Sequence, residues 1–169
     1  MLHIYCGDGK GKTTCAMGLA MRCAGRGGRV VVAQFLKTED SGERIALGAV
    51  ENVKLLPAPE EMKFLFAMTE KERIQTACEM TALFVHAAEM ALRKECDMLV
   101  LDELCGAVTE GMVPLDAVSA FLDEMEIEVV ITGRDPDQSL VDRADYVTEM
   151  RKIRHPYDRG IPARKGVEW

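Results

Sequence analysis

Four short apolar runs, at 3–6, 29–36, 98–101 and 128–132, limit what this chain can fold into. They are nearly continuous and the longest is rich in valine, as strands buried on both faces must be. Helix-patterned segments separate them. One covers 12–26 and stops at Gly27-Gly28. A second opens at the capping box Thr69-Glu70-Lys71-Glu72 and reaches about 94, with Ile74, Ala77, Cys78, Thr81, Phe84, Ala88 and Ala91 expected along one face. Pro114 marks the start of a third, where its missing N–H costs nothing. Residues 53–56 and 146–150 read as further strands, and 137–144 as a short helix. The alternation predicts an α/β fold, a mostly parallel sheet flanked by helices. At 169 residues the chain suits a single domain, 1–169.

Ligands in such folds bind beyond the carboxyl ends of the strands. Three features sit there. The first is 6-CGDGKGKTTCAMG-18, between a strand and a helix. It reads as a phosphate-binding loop, although Cys6 stands where the pattern G-x-x-x-x-G-K-[ST] has its first glycine. Gly7, Gly9 and Gly11 would let backbone N–H groups face phosphate oxygens, and the helix dipole would add to them. Lys12 offers a charge, Lys10 a second one, and Thr13 a hydroxyl for Mg²⁺. The plain alternative is a glycine-rich strand-to-helix turn. The second feature is Asp102-Glu103, placed to hold Mg²⁺ beside the loop or simply to cap a helix; either carboxylate fits. The third is Arg134, after Thr132-Gly133, facing the nucleotide or lying on the surface beside Asp135 and Asp137.

Other features are less specific. Phe64 and Phe66 lie in a stretch that reads as loop, and either line an apolar ligand pocket or form a small hydrophobic cluster. The tail 155–169, with Arg151, Lys152 and Arg154 before it, is basic in a chain of net charge −7. That overall charge argues against non-specific nucleic-acid binding. No apolar run approaches the roughly 20 residues that span a bilayer, and the start does not resemble a signal peptide, so a cytoplasmic location without membrane attachment is expected. The six cysteines form no C-x-x-C pair and read as reduced core residues. His3, His86 and His155 have no metal-ligand spacing.

GDGKGKTT, RVVVAQFLK, Gly42-Glu43-Arg44, LVLDEL, VVITGR, ADYVTEMRKIRHPYDRG and ARKGVEW, in this order, resemble the ATP:corrinoid adenosyltransferases of the cobalamin-pathway type. The resemblance runs over nearly the whole chain. It implies a P-loop NTPase fold similar to RecA-type domains, usually a homodimer, and a role in coenzyme B12 synthesis or salvage. It implies that MgATP binds in a reversed sense and that the Co(I) centre of a reduced corrinoid attacks the ribose 5′-carbon, expelling inorganic triphosphate. An electron donor such as a flavoprotein would supply Co(I). Gly7, Asp8, Gly9, Lys10, Gly11, Lys12, Thr13 and Thr14 match the ATP loop. Arg22 and Arg134 match positions near the nucleotide. Glu103 matches the acidic residue at the metal, with Asp102 beside it. Phe64 and Phe66 match an aromatic patch that displaces the lower ligand of cobalt. The stretch between Gly48 and Thr69 is compressed relative to the family pattern, and the chain departs from that pattern in three further places. Asp8 stands for the asparagine of many members, Phe66 stands for tryptophan, and the sequence begins at its first strand where many members have an extension over the corrinoid. Two other readings fit the same residues. A conventional P-loop ATPase or kinase would use Asp102 on Mg²⁺ and Glu103 or Glu39 to orient a nucleophile. A non-catalytic module would bind ATP or corrinoid without turnover.

Overall fold

The computed structural model describes residues 1–167; the last two residues of ARKGVEW lie outside that range. Six strands form one sheet: β1 (Leu2–Cys6), β2 (Val30–Gln34), β3 (Val53–Leu55), β4 (Met98–Asp102), β5 (Glu128–Thr132) and β6 (Tyr146–Glu149). Their order is β3-β2-β4-β5-β1-β6, and every pairing is parallel. β5 is inserted between β1 and β4, so the end of β5 lies between the glycine loop and the acidic pair. This is the P-loop α/β arrangement expected from the sequence.

The inner strands β2, β4 and β5 bury both faces, the edge strand β6 is exposed, and the two faces separate by period two. On one face Val30, Val32, Met98, Val100 and Val130 pack against Ala16, Met17, Ala20 and Ala24 of α1 (Lys12–Ala24). The small alanines let α1 lie close over β1, β4 and β5. On the other face Leu2, Ile4, Val31, Ala33, Leu99, Leu101, Val129 and Ile131 pack with residues of α3, α4, α5 and α6. α3 is Glu70–Leu92, α4 Leu104–Thr109, α5 Leu115–Glu124 and α6 Gln138–Arg143. α2 (Gly42–Leu47) covers the first face near β3.

The Thr69 capping box forms, with Thr69 N–H donating to Glu72 Oε2 at 2.8 Å and Glu72 N–H donating back to Thr69 Oγ1. The buried face of α3 differs from expectation. Thr76, Met80, Phe84, Ala87, Ala88 and Ala91 are inside, whereas Ile74 and Cys78 are exposed. Apolar residues occur nearly all round this helix, so periodicity alone did not fix which stripe meets the sheet. α1 also ends at Ala24, two residues before the expected stop, and left-handed Gly27 completes the turn. Among the described residues no helix is long and apolar enough to cross a membrane.

The cysteines need a similar correction. All six are free thiols, but Cys15 and Cys78 are exposed. Burial pushes the Cys96 thiol up to about 11 and the Cys105 thiol up to about 12. The thiolate is the reactive form. Iodoacetamide at pH 8 should therefore alkylate Cys15 and Cys78 in the native protein, and Cys96 and Cys105 only after unfolding. Peptide mass spectrometry checks this; native labelling of Cys105 would show that the contact between α4 and the sheet opens.

Candidate active site

The carboxyl edge of the sheet collects the ends of β1, β2, β4 and β5. Asp102 ends β4 and is 0% exposed. Its Oδ1 accepts hydrogen bonds from Thr132 Oγ1 at 2.7 Å and Thr13 Oγ1 at 2.9 Å. Its Oδ2 accepts from Lys37 Nζ at 2.7 Å and Gln34 Nε2 at 3.0 Å. A buried carboxylate is tolerated only with such partners. Burial alone would raise the Asp102 pKa; the Lys37 charge and the hydrogen bonds from Gln34, Lys37 and Thr132 outweigh it and hold the group below the usual aspartate range.

The glycine loop differs from expectation in detail. Gly7 N–H donates to Arg134 O at 3.0 Å and Gly9 N–H to Met150 O at 2.6 Å. Those two amides tie the loop to the ends of β5 and β6, so they do not face the cavity as donors. A Cβ on Gly9 would lie 2.5 Å from Met150 O, which explains the glycine by close backbone approach. The amides left for an anion are those of the first turn of α1, which have no partner within a helix. Lys12 Nζ curls over the loop and donates to Gly7 O at 2.7 Å and Gly9 O at 2.9 Å. Burial lowers its pKa, and Glu103 opposes that shift.

Asp8 turns away from the loop. Its Oδ1 accepts the Lys152 N–H at 2.9 Å, and this bond lowers its pKa. The carboxylate thus pins the basic tail. Glu103 adopts left-handed backbone (φ 62°) at the start of α4, with its N–H on Thr132 Oγ1 at 2.9 Å. Burial and the neighbouring Asp102 raise its pKa. A non-glycine residue held in this conformation stores strain of the kind that collects at functional sites. Gly133 permits the arrangement, because a Cβ there would meet Cys105 Cβ at 2.3 Å.

Asp8, Gly9, Lys10, Gly11, Lys12, Thr13, Thr14, Glu103 and Arg134 line one cavity of about 330 Å³, together with Lys37 and His155. Arg134 therefore reaches the loop. Arg22 does not: it is exposed in the last turn of α1, and ten residues at 1.5 Å rise put it about 15 Å from Lys12 along the axis. A second cavity, of about 560 Å³, runs beside the loop between α1 and α2, past Met17, Met21, Ala46 and Leu47. A third, of about 690 Å³, joins Lys37, Glu43 and Glu103 to Phe64.

Phe64 and Phe66 are 75% and 88% exposed, and their rings stack with centroids 5.4 Å apart. They are not a buried satellite cluster; Leu65 between them turns inward instead. Two stacked aromatics facing solvent are an apolar surface that folding does not use.

Sequence reasoning missed Lys37, Gln34 and Thr132 as parts of the site. Lys37 directly follows a buried apolar run, the same signal that singled out Arg134. Glu39, weighed as a nucleophile-orienting residue, is committed elsewhere: both its oxygens bind buried Arg44, and Ala58 N–H donates to Oε1 at 2.7 Å.

A family model described as ATP:corrinoid adenosyltransferase BtuR/CobO/CobP matches residues 1–169. The corrinoid adenosyltransferase of Escherichia coli K12 is 34% identical over all of this chain and 85% of its own length. The corrinoid adenosyltransferase CobA of Salmonella typhimurium LT2 is 35% identical with the same coverage. The Pseudomonas aeruginosa corrinoid adenosyltransferase is 32% identical over all of this chain and 83% of its own. A solved structure of a DNA replication initiation factor overlaps 88% of this chain and 39% of its own, at 14% identity and a TM-score of 0.45. With full-length matches above 30% identity, the chain belongs to the ATP:corrinoid adenosyltransferase family.

Proposed function

We propose that residues 1–169 act as one catalytic unit that transfers the 5′-deoxyadenosyl group of MgATP to the Co(I) centre of a reduced corrinoid. The match to the family model along the whole chain carries this reading. Co(I) supplies the electron pair for the new Co–C bond, the C5′–O bond breaks, and its electrons leave on inorganic triphosphate. Since the corrinoid is itself the nucleophile, the protein needs no catalytic serine, cysteine or histidine. Its task is to align the 5′-carbon and to stabilise charge growing on the triphosphate. Lys12 and the first-turn amides of α1 are suited to that charge, with Arg134 at the cavity wall.

The residues also fit a magnesium ion. The described residues hold no cluster of three or more His, Cys, Asp or Glu suited to a metal. Mg²⁺ bound with a nucleotide needs only one or two protein oxygens beside phosphate and water. Thr13 Oγ1 and Asp102 Oδ1, 2.9 Å apart, would supply them, and Glu103 stands next in the chain. When bound, the ion would neutralise triphosphate charge.

The apolar cavity between α1 and α2 suits the nucleoside, and the cavity ending at Phe64 suits the corrinoid. The stacked phenylalanines would press on the lower face of the corrinoid and ease its reduction. A flavoprotein electron donor, a homodimer and a cytoplasmic setting complete the reading. Because both rings are exposed, F64A/F66A should change stability by less than about 0.5 kcal/mol. With chemically prepared Co(I) its turnover should stay near wild type. Starting from Co(II) and a reductant, the rate should fall about tenfold or more, a barrier rise of about 1.4 kcal/mol. Equal losses in both assays would remove the aromatic pair from the reduction step.

Phosphorus NMR of the nucleotide products tests the function itself. Inorganic triphosphate is the expected product. ADP with phosphate would instead favour a conventional P-loop ATPase.

A further inference from the structure

Lys37 stands where the three cavities meet, since its side chain lines all of them. Its position is set by Leu36, which takes left-handed backbone (φ 54°) and turns the chain out of line with β2. An ammonium has three protons to donate. Those of Lys37 find Asp102 Oδ2 at 2.7 Å and Thr13 Oγ1 at 2.9 Å, with Glu43 Oε1 at 3.5 Å. The first two residues are the pair assigned above to the magnesium of the nucleotide.

Thr13 Oγ1 would have to serve both cations, and both would sit against the one carboxylate of Asp102. Positive charges held that close repel strongly in the weakly screened interior. Asp102 meanwhile cannot stand alone, because a buried carboxylate without a counter-charge is costly. Lys37 is 27% exposed and carried on a flexible four-carbon stem, so it can leave. What would draw it away is a stronger anion in the adjoining cavity, and a triphosphate is one.

We propose that Lys37 is a built-in counter-cation for the Thr13–Asp102 pair, which keeps free Mg²⁺ out and gives way only to metal arriving with a triphosphate. The displaced ammonium then moves onto the triphosphate oxygens. Metal and nucleotide thus enter as one unit. This rests on the reading that Thr13 and Asp102 hold the metal.

The test is equilibrium dialysis of Mn²⁺, a spin-active stand-in for Mg²⁺, against the full chain with no nucleotide, followed by the same measurement with inorganic triphosphate. Wild type and K37R should retain little Mn²⁺ alone. K37M and K37Q should retain one ion at least about tenfold more tightly, equivalent to about 1.4 kcal/mol. With triphosphate present, wild type should retain Mn²⁺ too, and K37M should hold triphosphate more weakly than wild type. Circular dichroism checks that each variant is folded. Should both neutral variants fail to fold, wild type decides alone: one tightly retained Mn²⁺ per chain without triphosphate overturns the proposal. Equal Mn²⁺ retention by wild type and K37M overturns it as well. No Mn²⁺ retained by any form, even with triphosphate, sinks the metal reading and this proposal with it, while triphosphate release in the product assay would still stand.

Discussion

Lys12→Ala is expected to lower kcat for adenosyl transfer by about 10²–10³-fold, the usual cost of removing one preorganised donor from a site where charge develops. The Lys12 ammonium lies on Gly7 O and Gly9 O, at the mouth of the cavity over the first turn of α1. The triphosphate carries more charge on its leaving oxygen in the transition state than in the ground state. Loss of Lys12 should therefore show in kcat as well as in KM. Lys12→Arg should not restore the rate, because a planar guanidinium cannot replace a compact ammonium that bridges two carbonyls of a tight loop. A change confined to KM would mean that Lys12 binds ATP equally in both states.

Asp102→Ala should be the most destabilising single change at the site, by about 3–5 kcal/mol, because the buried Gln34 and Thr132 side chains both lose the carboxylate they donate to. Lys37, Gln34, Thr13 and Thr132 all donate to this carboxylate. The midpoint of thermal unfolding should drop by roughly 10 °C for a chain of this size. Because the folded-state pKa of Asp102 is depressed, its contribution is fully present above the unfolded value of about 3.9 and is lost as pH falls through the lower folded value. Asp102→Asn should therefore flatten the acid limb of the stability curve below about pH 4 relative to wild type. Urea unfolding at a series of pH values measures both effects. An unchanged urea midpoint at pH 7 would show that the network contributes nothing to the fold.

The strands were legible because a strand buried on both faces writes itself as an unbroken apolar run. Val30–Gln34, Met98–Asp102 and Glu128–Thr132 all lie where such runs predicted them, and their carboxyl ends carry the site. α2 and α4 were not legible. Each has six residues, fewer than two turns, and no side-chain cap, unlike the equally short α6, where Asp137 accepts the Ser139 N–H. α4 also begins from a left-handed glutamate, which no propensity favours.

The site divides along the same line. Residues brought in by local geometry, Lys12 and Thr13, follow from the loop pattern. Residues brought in by neighbouring strands do not, since Gln34 and Thr132 become partners of Asp102 only once the strand order is known. The glycines illustrate a different gap. Gly7 and Gly9 were read as room for a ligand, yet the backbone of 149–151 takes up the room beside them. Arg22 was placed near the nucleotide by resemblance; it lies in the last turn of α1, outside the cavity that the loop lines.

The chemistry assigned to this edge of the sheet is the building of a Co–C bond from ATP and a reduced corrinoid. The absorption spectrum of cob(I)alamin mixed anaerobically with the protein and MgATP tests it most directly. The Co(I) spectrum should disappear in step with growth of a light-sensitive alkylated corrinoid, dependent on both protein and ATP. A Co(I) spectrum that stays unchanged with MgATP present, for cobalamin and equally for cobyrinic acid a,c-diamide, would contradict it.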